Sequence, residues 1–387
     1  MMNTFSVIPL ATVLALSLIS GVVLAEQQAP QASTSAHSEP IARIIGGNPT
    51  YQENIPWQAL VYIDVGNDGQ DIFQCGGVVI DKKTVLTAAH CLTEGSVTAQ
   101  QDELFVWAGI TSTDSATFLN ALPVTAIHVH PGFNEETFIN DIAVLRLGTD
   151  IPAGAQPIQL ATVSEQQQAD TAFDNTFVPD SLRGQNLLVS GWGLTSTDPG
   201  ATSARQLQHV LLAGVPDDYC EQVWGSVVEP SQSTVFVCAM SPDPAVQQDT
   251  CQGDSGGPLV WQNPQASADS DLGFRLVGLV SFGAECGADF PAVYTEVSHY
   301  RDWIALIAGD GFHFYPDSVF AFNPFTLNGG STSVAPATDT DSSQGSALSS
   351  AMASRSGGSV TAANLLILLG MLVWRRRLGY RSLSHRS

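Results

Sequence analysis

The sequence predicts an all-β fold, and three observations support this prediction. Short apolar runs recur through residues 44–307, and each is bounded by Gly, Pro, Asn or Asp. Such spacing is typical of barrels or sandwiches and not of alternating strands and helices. Hydrophobic residues make up 44 % of the chain and charged residues only 13 %, which is typical of a packed globular core. The 387 residues exceed one average domain, but an all-β unit can use such a length as a single domain.

The individual elements follow from the same pattern. The apolar runs predict strands over residues 59–63, 77–80, 104–108, 142–147, 187–190 and 276–280. Residues 298–307 predict a single helix, because Trp303, Ile304 and Ile307 would share one face. The extra residues between the runs are expected to form surface loops over 64–72, 162–183 and 262–272.

The charges are unevenly distributed, and their balance excludes one class of function. The chain carries 14 Lys and Arg against 37 Asp and Glu, for a formal net charge of −23. Residues 44–307 hold 31 of the acids and 7 of the basic residues, whereas residues 352–387 hold 6 Arg and no acid. Binding to nucleic acid by phosphate neutralisation is therefore excluded. We expect the acidic body to reflect salt water or the outside of the cell, since a high net charge keeps a protein soluble.

Residues 1–25 are predicted to be a secretory signal peptide. They contain no charged side chain, and an apolar stretch covers residues 7–18. Val23 and Ala25, just before Glu26, suit cleavage by signal peptidase, although the usual Lys or Arg near the start is missing. A membrane anchor is the alternative, but the apolar run is short for a hydrocarbon core of about 30 Å.

A second apolar block lies near the C-terminus. Residues 356–374 are uncharged and begin Ser-Gly-Gly. As a helix at about 1.5 Å per residue they would reach about 28 Å, close to one bilayer crossing. Three arginines follow at 375–377, and such a cluster keeps its end, here residues 378–387, on the cytoplasmic side.

The two glycines, the short apolar helix and the arginine cluster together resemble a known sorting tail. Over residues 356–377 the chain is similar to the GlyGly-CTERM tail of exported proteins in Gram-negative bacteria. The resemblance implies that a rhomboid-type intramembrane protease cuts near the glycines, and that the product is held at the cell surface or released from it. An ordinary single-pass anchor is the alternative, and both interpretations bring the tail into contact with a membrane.

Residues 309–355 join this tail to the predicted globular body. The part from 328 to 355 is mostly Gly, Ser, Thr and Ala, which cannot bury enough apolar surface to fold and therefore predicts a tether. The preceding part holds too many aromatic residues for a free linker: Phe312, Phe314, Tyr315, Phe320, Phe322 and Phe325. We expect these side chains to pack back on the body, with contact to a substrate as the alternative.

Six cysteines predict three disulfides: Cys75, Cys91, Cys220, Cys238, Cys251 and Cys286. An even number behind a signal peptide indicates an oxidising compartment, and 15 connectivities are open. A zinc site is the competing interpretation, but no Cys pair has the spacing of two to four residues that zinc ligands show. His128 and His130 would share one face of a strand, yet no third ligand is evident. We therefore predict no metal and no cofactor.

Three short motifs carry the candidate chemistry. Thr-Ala-Ala-His-Cys places His90 beside a cysteine at the end of an apolar run. Asn-Asp-Ile-Ala-Val-Leu places Asp141 at the mouth of a buried strand, and Gly-Asp-Ser-Gly-Gly-Pro places Ser255 in a glycine-rich turn. Each motif alone has a structural explanation: a core histidine, a strand-capping acid or a tight turn. In the order His, Asp, Ser they match a catalytic triad.

These motifs resemble those of the chymotrypsin and trypsin family of serine endopeptidases. The resemblance implies two packed antiparallel six-stranded barrels and a C-terminal helix, in a domain over residues 44–308. It also implies that His90 takes the proton of Ser255 and later donates it to the leaving amine. Asp141 would orient His90 and stabilise the imidazolium.

The resemblance also implies how the site would stabilise its intermediate. The backbone amides of Gly253 and Ser255 would form the oxyanion hole, and losing such stabilisation costs about 10²–10³ in rate. Ser281 matches the serine that contacts the triad acid, here Asp141. The Trp that usually follows that serine is Phe282 here, which keeps an apolar wall but lacks the indole N–H.

Further implied residues set the substrate preference. Asp249 occupies the position that forms the base of the primary pocket in trypsin-like members, which would favour Arg or Lys because an unpaired buried charge is costly. Gly283 matches the residue that leaves the pocket open. Ala292 stands where a Gly is usual, and its methyl group should narrow the pocket and favour Arg over Lys.

An activation junction completes the resemblance. Cleavage after Arg43 would remove a pro-segment over residues 26–43 and free the Ile44 amine to pair with Asp254. The carboxylate would raise the pKa of this amine above its ordinary range of about 7.7–8.0. The stabilisation is complete below that range and is lost as pH rises through the raised pKa, so activity should fall on the alkaline side. Cleavage after an Arg also matches an Asp249 pocket and permits autoactivation.

The resemblance implies the pairs Cys75–Cys91, Cys220–Cys238 and Cys251–Cys286. The leading interpretation is a secreted trypsin-like endopeptidase whose partners are protein or peptide substrates with Arg or Lys, signal peptidase and a rhomboid-type sorting protease. One alternative is a binding or adhesion protein that keeps the protease fold without its activity. Another is a membrane-tethered adhesin that acts through residues 309–355, although no second folded domain is evident.

Overall fold

The structure is a computed structural model, and it describes residues 44–326 apart from 51–53, 68, 70, 199, 229, 285 and 287–289. The predicted signal peptide, pro-segment, tether and sorting tail lie outside the described residues. None of the helices within the described part of the chain is long and apolar enough to cross a membrane.

The first half of the described chain forms a closed six-stranded antiparallel barrel. Its hydrogen-bonded order is β7-β2-β3-β4-β9-β8, and the strands are β2 Gln58–Asp64, β3 Ile72–Asp81, β4 Thr84–Thr87, β7 Leu104–Ala108, β8 Val124–Val129 and β9 Ala143–Leu147. The Leu122 amide donates to the Val106 carbonyl at 2.7 Å, which brings β8 back to β7. A short hairpin, β5 Thr93–Glu94 with β6 Val97–Thr98, lies outside the barrel.

The second half forms a curled eight-stranded sheet, mostly antiparallel. Its main order is β1-β12-β11-β14-β15-β16-β13, with a further pairing of β12 with β13 and a parallel pairing of β10 with β15. The strands are β1 Asn48–Pro49, β10 Gln159–Leu160, β11 Leu187–Gly191, β12 Gln208–Val215, β13 Phe236–Met240, β14 Pro258–Gln262, β15 Phe274–Phe282 and β16 Ala292–Glu296. The six predicted strands all exist, within a few residues at each end. The all-β, two-barrel fold class is confirmed.

Within the described residues three α-helices accompany the sheets: α1 Val163–Thr176, α2 Asp217–Trp224 and α3 Arg301–Ala308. The predicted C-terminal helix is confirmed, although residues 297–300 form a 3₁₀ turn before α3 begins. The prediction of a surface loop over 162–183 was wrong, because most of that segment is α1. Helices α1 and α2 were not predicted.

Local chemistry explains why α1 forms. The Thr162 hydroxyl accepts from the Glu165 amide at 3.1 Å, and the Glu165 carboxylate accepts from the Thr162 amide at 2.9 Å, which is a complete capping box. The Phe173 ring is buried against β12, where a Cβ on Gly214 would lie 2.1 Å from it. Arg275 on β15 donates to Glu165 at 2.5 Å and ties the start of α1 to the sheet. Helix α1 therefore belongs to the core of the second half.

Residues 309–326, named here the C-terminal strap, pack back on the body after α3. Phe320 and Phe325 are 5 % and 2 % exposed. The Phe320 ring lies 4.9 Å from the Trp57 ring and 5.8 Å from the Phe274 ring. Burying an aromatic side chain of this size stabilises the fold by about 2–3 kcal/mol before entropy is counted. The strap thus closes over the junction of the two halves.

Hydrogen bonds to backbone carbonyls of the body hold the strap in place. The Phe320 amide donates to the Ser270 carbonyl at 2.9 Å, and the Ser318 hydroxyl donates to the Pro157 carbonyl at 2.7 Å. The Arg301 guanidinium stacks 4.1 Å above the Phe314 ring. The expectation that the aromatic residues pack on the body is confirmed for Phe320 and Phe325, whereas Tyr315 is mostly exposed.

Candidate active site

His90 lies in a 3₁₀ turn, Ala89–Cys91, that directly follows β4. Its backbone amide donates to Asp141 Oδ1 at 2.8 Å, and its Nδ1 lies 2.7 Å from Asp141 Oδ2. Because a carboxylate only accepts hydrogen bonds, this contact assigns the proton to Nδ1. Nε2 is therefore the ring nitrogen that can act as a base.

Asp141 is fully buried at the start of β9 and is held by residues of the second half. The Ser281 hydroxyl donates to Asp141 Oδ2 at 2.5 Å, and the Thr295 hydroxyl donates to the Asp141 carbonyl at 2.9 Å. A buried carboxylate needs such donors, since an unsatisfied buried charge is costly. Sequence reasoning identified Ser281 but missed Thr295, because no motif marks a threonine on β16 as a partner of Asp141.

Ser255 lies beside His90 across the junction of the two halves. Sγ of Cys91 is 4.0 Å from His90 Nε2 and 3.7 Å from the Ser255 carbonyl oxygen. The Gly76 amide donates to the same carbonyl at 2.8 Å. His90 and Asp141 are therefore in direct contact, and the Cys91 sulfur lies within 4 Å of both the His90 ring and the Ser255 main chain. Contact between the Ser255 hydroxyl and His90 Nε2 stays a prediction.

Gly253 has a backbone conformation that side chains rarely adopt, with φ at +97°. A Cβ at this position would lie 2.9 Å from Gln74 Nε2 and 3.1 Å from the Gly193 Cα. The Leu194 amide donates to the Gln252 carbonyl at 2.8 Å. In a trans peptide the N–H points opposite to the C=O, so the Gly253 amide points away from Leu194. An oxyanion hole at Gly253 requires that this N–H face the substrate carbonyl, and that role stays a prediction.

Asp254, next to Ser255, is fully buried in the second half. It accepts from the Gly193 amide at 2.8 Å and from the Cys251 amide at 3.0 Å. Burial raises the pKa of Asp254 to about 7, although both amides oppose this. Ile44 is also fully buried, but among the described residues no hydrogen bond joins it to Asp254. The predicted pairing of Ile44 with Asp254 therefore stays a prediction.

The predicted pocket residues lie on the turn before Ser255 and on the last two strands. Asp249 is 8 % exposed, and its carboxylate accepts from the Thr250 amide at 2.8 Å. Burial raises the pKa of Tyr294, and the charge of Asp249 raises it further. Ala292 on β16 is buried, whereas a Cβ on Gly283 would meet nothing within 4 Å. Among the described residues the space beside Gly283 is thus open, and the roles of Asp249, Gly283 and Ala292 in a substrate pocket stay predictions.

Aromatic rings line the cleft beside His90. Phe138, with φ at +56°, places its ring 5.6 Å from the His90 ring and 5.2 Å from the Phe282 ring. The Trp224 ring lies 5.3 Å from Phe282. Sequence reasoning missed Phe138, and only its place three residues before Asp141 could have indicated it. Of these rings, Phe138 is the one that packs against the imidazole, while Phe282 packs behind Phe138 and Trp224 packs behind Phe282.

Three disulfides surround the site. Their Cα–Cα distances are 6.5 Å for Cys75–Cys91, 6.3 Å for Cys220–Cys238 and 5.2 Å for Cys251–Cys286. These are the pairs that the resemblance implies, and they suit an extracellular protein. The first fixes the turn that carries His90, and the third braces the turn that precedes Ser255.

The remaining candidate ligands do not converge. Among the described residues no group of three His, Cys, Asp or Glu side chains could hold a metal ion. The His130 ring packs 5.4 Å from the Tyr300 ring and 4.9 Å from the Trp303 ring. Burial lowers the pKa of His130, and His299 lowers it further. His130 is therefore part of an aromatic cluster with Tyr300 and Trp303.

Comparison with known proteins agrees with the geometry of the site. The family model described as Trypsin matches residues 44–304. Trypsin alpha-4 of Lucilia cuprina is 32 % identical over 300 residues, which are 76 % of this chain and 95 % of that protein. Trypsin iota of Drosophila melanogaster is 34 % identical over 273 residues, with 70 % and 90 % covered. Clotting factor G beta subunit of Tachypleus tridentatus is 30 % identical over 273 residues, with 69 % and 80 % covered. The chain therefore belongs to the trypsin family of serine proteases.

Proposed function

We propose that this protein is a trypsin-like serine endopeptidase that hydrolyses peptide bonds after Arg or Lys. The observation that carries the proposal is the 2.7 Å contact between His90 Nδ1 and the buried Asp141 carboxylate. This contact fixes the tautomer of His90 and leaves Nε2 as a base beside Ser255. A serine hydroxyl needs such a base, because it is a weak nucleophile at neutral pH.

The chemistry proceeds through an acyl-enzyme. His90 Nε2 removes the Ser255 hydroxyl proton while the oxygen attacks the scissile carbonyl carbon. The carbonyl electron pair moves to oxygen, and the amides of Gly253 and Ser255 stabilise that charge. His90 then donates the proton to the leaving amine as the C–N bond breaks. Water, deprotonated by His90 in the same way, attacks the ester carbonyl carbon. As the C–O bond to Ser255 breaks, His90 returns the proton to the Ser255 oxygen.

The buried Asp249 carboxylate supports the proposed preference for basic side chains. A substrate Arg or Lys would neutralise a charge that is otherwise held by neighbouring polar groups. The methyl group of Ala292 reduces the space on one wall, so Arg is expected to be preferred over Lys. Equal turnover of matched Arg and Lys peptides would remove this preference without affecting the rest of the proposal.

The protein is proposed to be made as a zymogen that is cut after Arg43. The new Ile44 amine would pair with Asp254, whose buried carboxyl has a pKa raised to about 7. The full burial of both Ile44 and Asp254 supports this pairing. The pair stabilises the active form below the ordinary amine pKa, and the gain is lost as pH rises through the raised amine pKa.

We also propose that the protein is secreted by a Gram-negative bacterium and carries the sorting tail at residues 356–377. Three disulfides support an oxidising compartment. Signal peptidase and a rhomboid-type protease would then be processing partners, and the tail would contact the membrane. Intact-mass analysis of the exported protein tests both terminal cuts in one measurement.

The test of activity is Ser255→Ala in the full chain, cut at Arg43 by an added protease and verified by N-terminal sequencing. Hydrolysis of an arginyl anilide should fall by about 10⁶-fold, because the nucleophile is gone. Ser267→Ala, at an exposed serine, is the matched control and should keep full activity. A wild-type protein that is cut correctly and yet cleaves nothing would favour the binding or adhesion alternative.

A further inference from the structure

The Gln74 side chain bridges three parts of the molecule next to Gly253. Gln74 lies on β3 of the first barrel and is half-buried. Its Nε2 donates to the Trp192 carbonyl at 2.8 Å, and its Oε1 accepts from the Tyr62 hydroxyl at 3.3 Å. A Cβ on Gly253 would lie only 2.9 Å from the same Nε2. The Gln74 amide therefore packs directly on the Cα of Gly253.

The Trp192 carbonyl belongs to the turn that orients the candidate oxyanion hole. One residue on, the Gly193 amide donates to Asp254 at 2.8 Å. One residue further, the Leu194 amide donates to the Gln252 carbonyl at 2.8 Å, and this bond directs the Gly253 amide away from Leu194. Hydrogen bonds of three consecutive residues, Trp192, Gly193 and Leu194, thus connect Gln74 to the segment that carries Gly253. The Gly253 N–H is the one that must face the oxyanion.

We propose that Gln74 is a positioning residue for the oxyanion hole: its amide holds the Trp192–Leu194 turn against the first barrel and thereby fixes the Gly253 N–H. This inference rests on the proposed function. Gln74 acts through the turn and through packing on Gly253, and it is not required to touch the substrate.

The Tyr62 hydroxyl determines which way the Gln74 amide points. A hydroxyl that donates to Oε1 leaves the NH₂ group facing the Trp192 carbonyl. Burial raises the pKa of Tyr62, so the hydroxyl stays protonated and remains a donor at neutral pH. A glutamate at position 74 would present only acceptors when ionised, and would repel both the Trp192 carbonyl and a developing oxyanion.

The first experiment compares Gln74→Ala, Gln74→Met and Gln74→Glu with the cleaved wild-type protein on an arginyl anilide. Gln74→Met keeps the length but removes the donor, and we expect kcat to fall about 10-fold with KM nearly unchanged, below the 10²–10³ cost of losing a donor itself. Gln74→Glu should lose more. Its activity relative to wild type should recover below about pH 5, where a protonated carboxyl can donate again. Gln167→Ala, at an exposed glutamine on α1, is the control.

A pair of inhibitors separates positioning from general damage. A peptide aldehyde forms a tetrahedral adduct whose oxygen occupies the hole, so its Ki should rise by the same factor as kcat falls. Benzamidine binds only the Asp249 pocket, so its Ki should stay within about 2-fold of wild type. Thermal melting checks that each variant is folded, and Tyr62→Phe should reproduce part of the Gln74→Met loss.

The outcomes distinguish this inference from the proposed function. An inactive wild-type protein would overturn the proposed function and the inference with it. An active wild type with unchanged kcat in folded Gln74→Met would overturn the inference alone. A change confined to KM, or an equal rise in Ki for both inhibitors, would also overturn it, since Gln74 would then contact substrate or support the whole pocket.

Discussion

The two halves of the molecule differ in how much chain surrounds the residues they contribute. The first barrel presents His90 and Asp141 on short turns at the ends of strands, and among the described residues only the β5–β6 hairpin and 3₁₀ turns are added to it. The second half presents Ser255 and the pocket, and it is flanked by α1, α2, α3 and the C-terminal strap. The first barrel thus consists of little more than its strands and short turns, whereas the second half also carries three helices and the C-terminal strap.

Hydrogen bonds cross between the halves in both directions. Ser281 and Thr295 of the second half hold Asp141 of the first. Gly76 of the first barrel holds the carbonyl of Ser255 in the second. We therefore expect the proposed activity to depend on the junction, and the added elements of the second half to contribute stability. Three substitutions test this division.

The largest expected effect is the loss of activity when a residue of the junction is changed. Asp141→Asn keeps the shape of the side chain, but its NH₂ group would donate to His90 Nδ1 and favour the tautomer with the proton on Nε2. His90 would then lack a free base at Nε2, so kcat should fall about 10⁴-fold, as in a related protease. The melting temperature should change little by comparison. The measurement is steady-state hydrolysis of an arginyl anilide by the cleaved protein.

Asp150→Asn provides the matched control for Asp141→Asn. Asp150 forms an exposed pair with Lys83 at 3.5 Å, so its loss should leave kcat unchanged. A cleaved Asp141→Asn protein with more than a tenth of wild-type activity would contradict the role assigned to the junction.

The next effect is on stability alone. Phe320→Ala opens a cavity between the Trp57 and Phe274 rings and should lower the free energy of unfolding by about 3–5 kcal/mol. We expect the activity per folded molecule to stay the same, because Phe320 packs on Trp57 and Phe274, which are not site residues. Urea denaturation followed by tryptophan fluorescence measures the loss. Tyr315→Ala, at a mostly exposed side chain of the same strap, should have little effect.

The smallest expected effect is a dependence of stability on pH that comes from buried acids of the second half. Burial and neighbouring acids raise the pKa of Asp217 to about 7, and burial chiefly raises that of Asp170 to about 6 and that of Glu296 to about 8. These groups have higher pKa values in the fold than in the unfolded chain, so protonation stabilises the fold. The free energy of unfolding therefore decreases as pH rises from about 4 through the raised pKa values of these three groups.

Asp217→Asn removes one of these groups from the titration. The decline in melting temperature between pH 5 and pH 8 should be shallower in the variant than in the wild-type protein. Asp114→Asn, at an exposed acid of the first half, should leave the decline unchanged. If the melting temperature of the variant declines as steeply as that of the wild-type protein, Asp217 does not contribute to the pH dependence.

The sequence predicted the strands and the triad because both leave local marks. Alternating apolar runs mark strands, and His90, Asp141 and Ser255 each lie in a recognisable motif. Helix α1 was missed because its buried face consists of only Gln166, Ala169 and Phe173, too few apolar residues for a clear period.

Contacts between distant segments leave no such mark. Gln74 and Trp192 are 118 residues apart, and Thr295 and Asp141 are 154 residues apart. Their partnership depends on how the two halves dock, which no short window of sequence encodes. The same holds for the strap, whose aromatic content predicted packing but not the partners Trp57 and Phe274.

The course of β15 determines how far the C-terminal end of the described chain lies from the candidate active site. The strand runs from Phe274, beside the ring of Phe325, to Ser281, beside Asp141. These seven steps correspond to about 23 Å at about 3.3 Å each. The described chain leaves the body next to Phe325, at the opposite end of the strand from the cleft. Any anchorage through the C-terminus would therefore be attached to the body at the end of β15 that lies farther from Asp141.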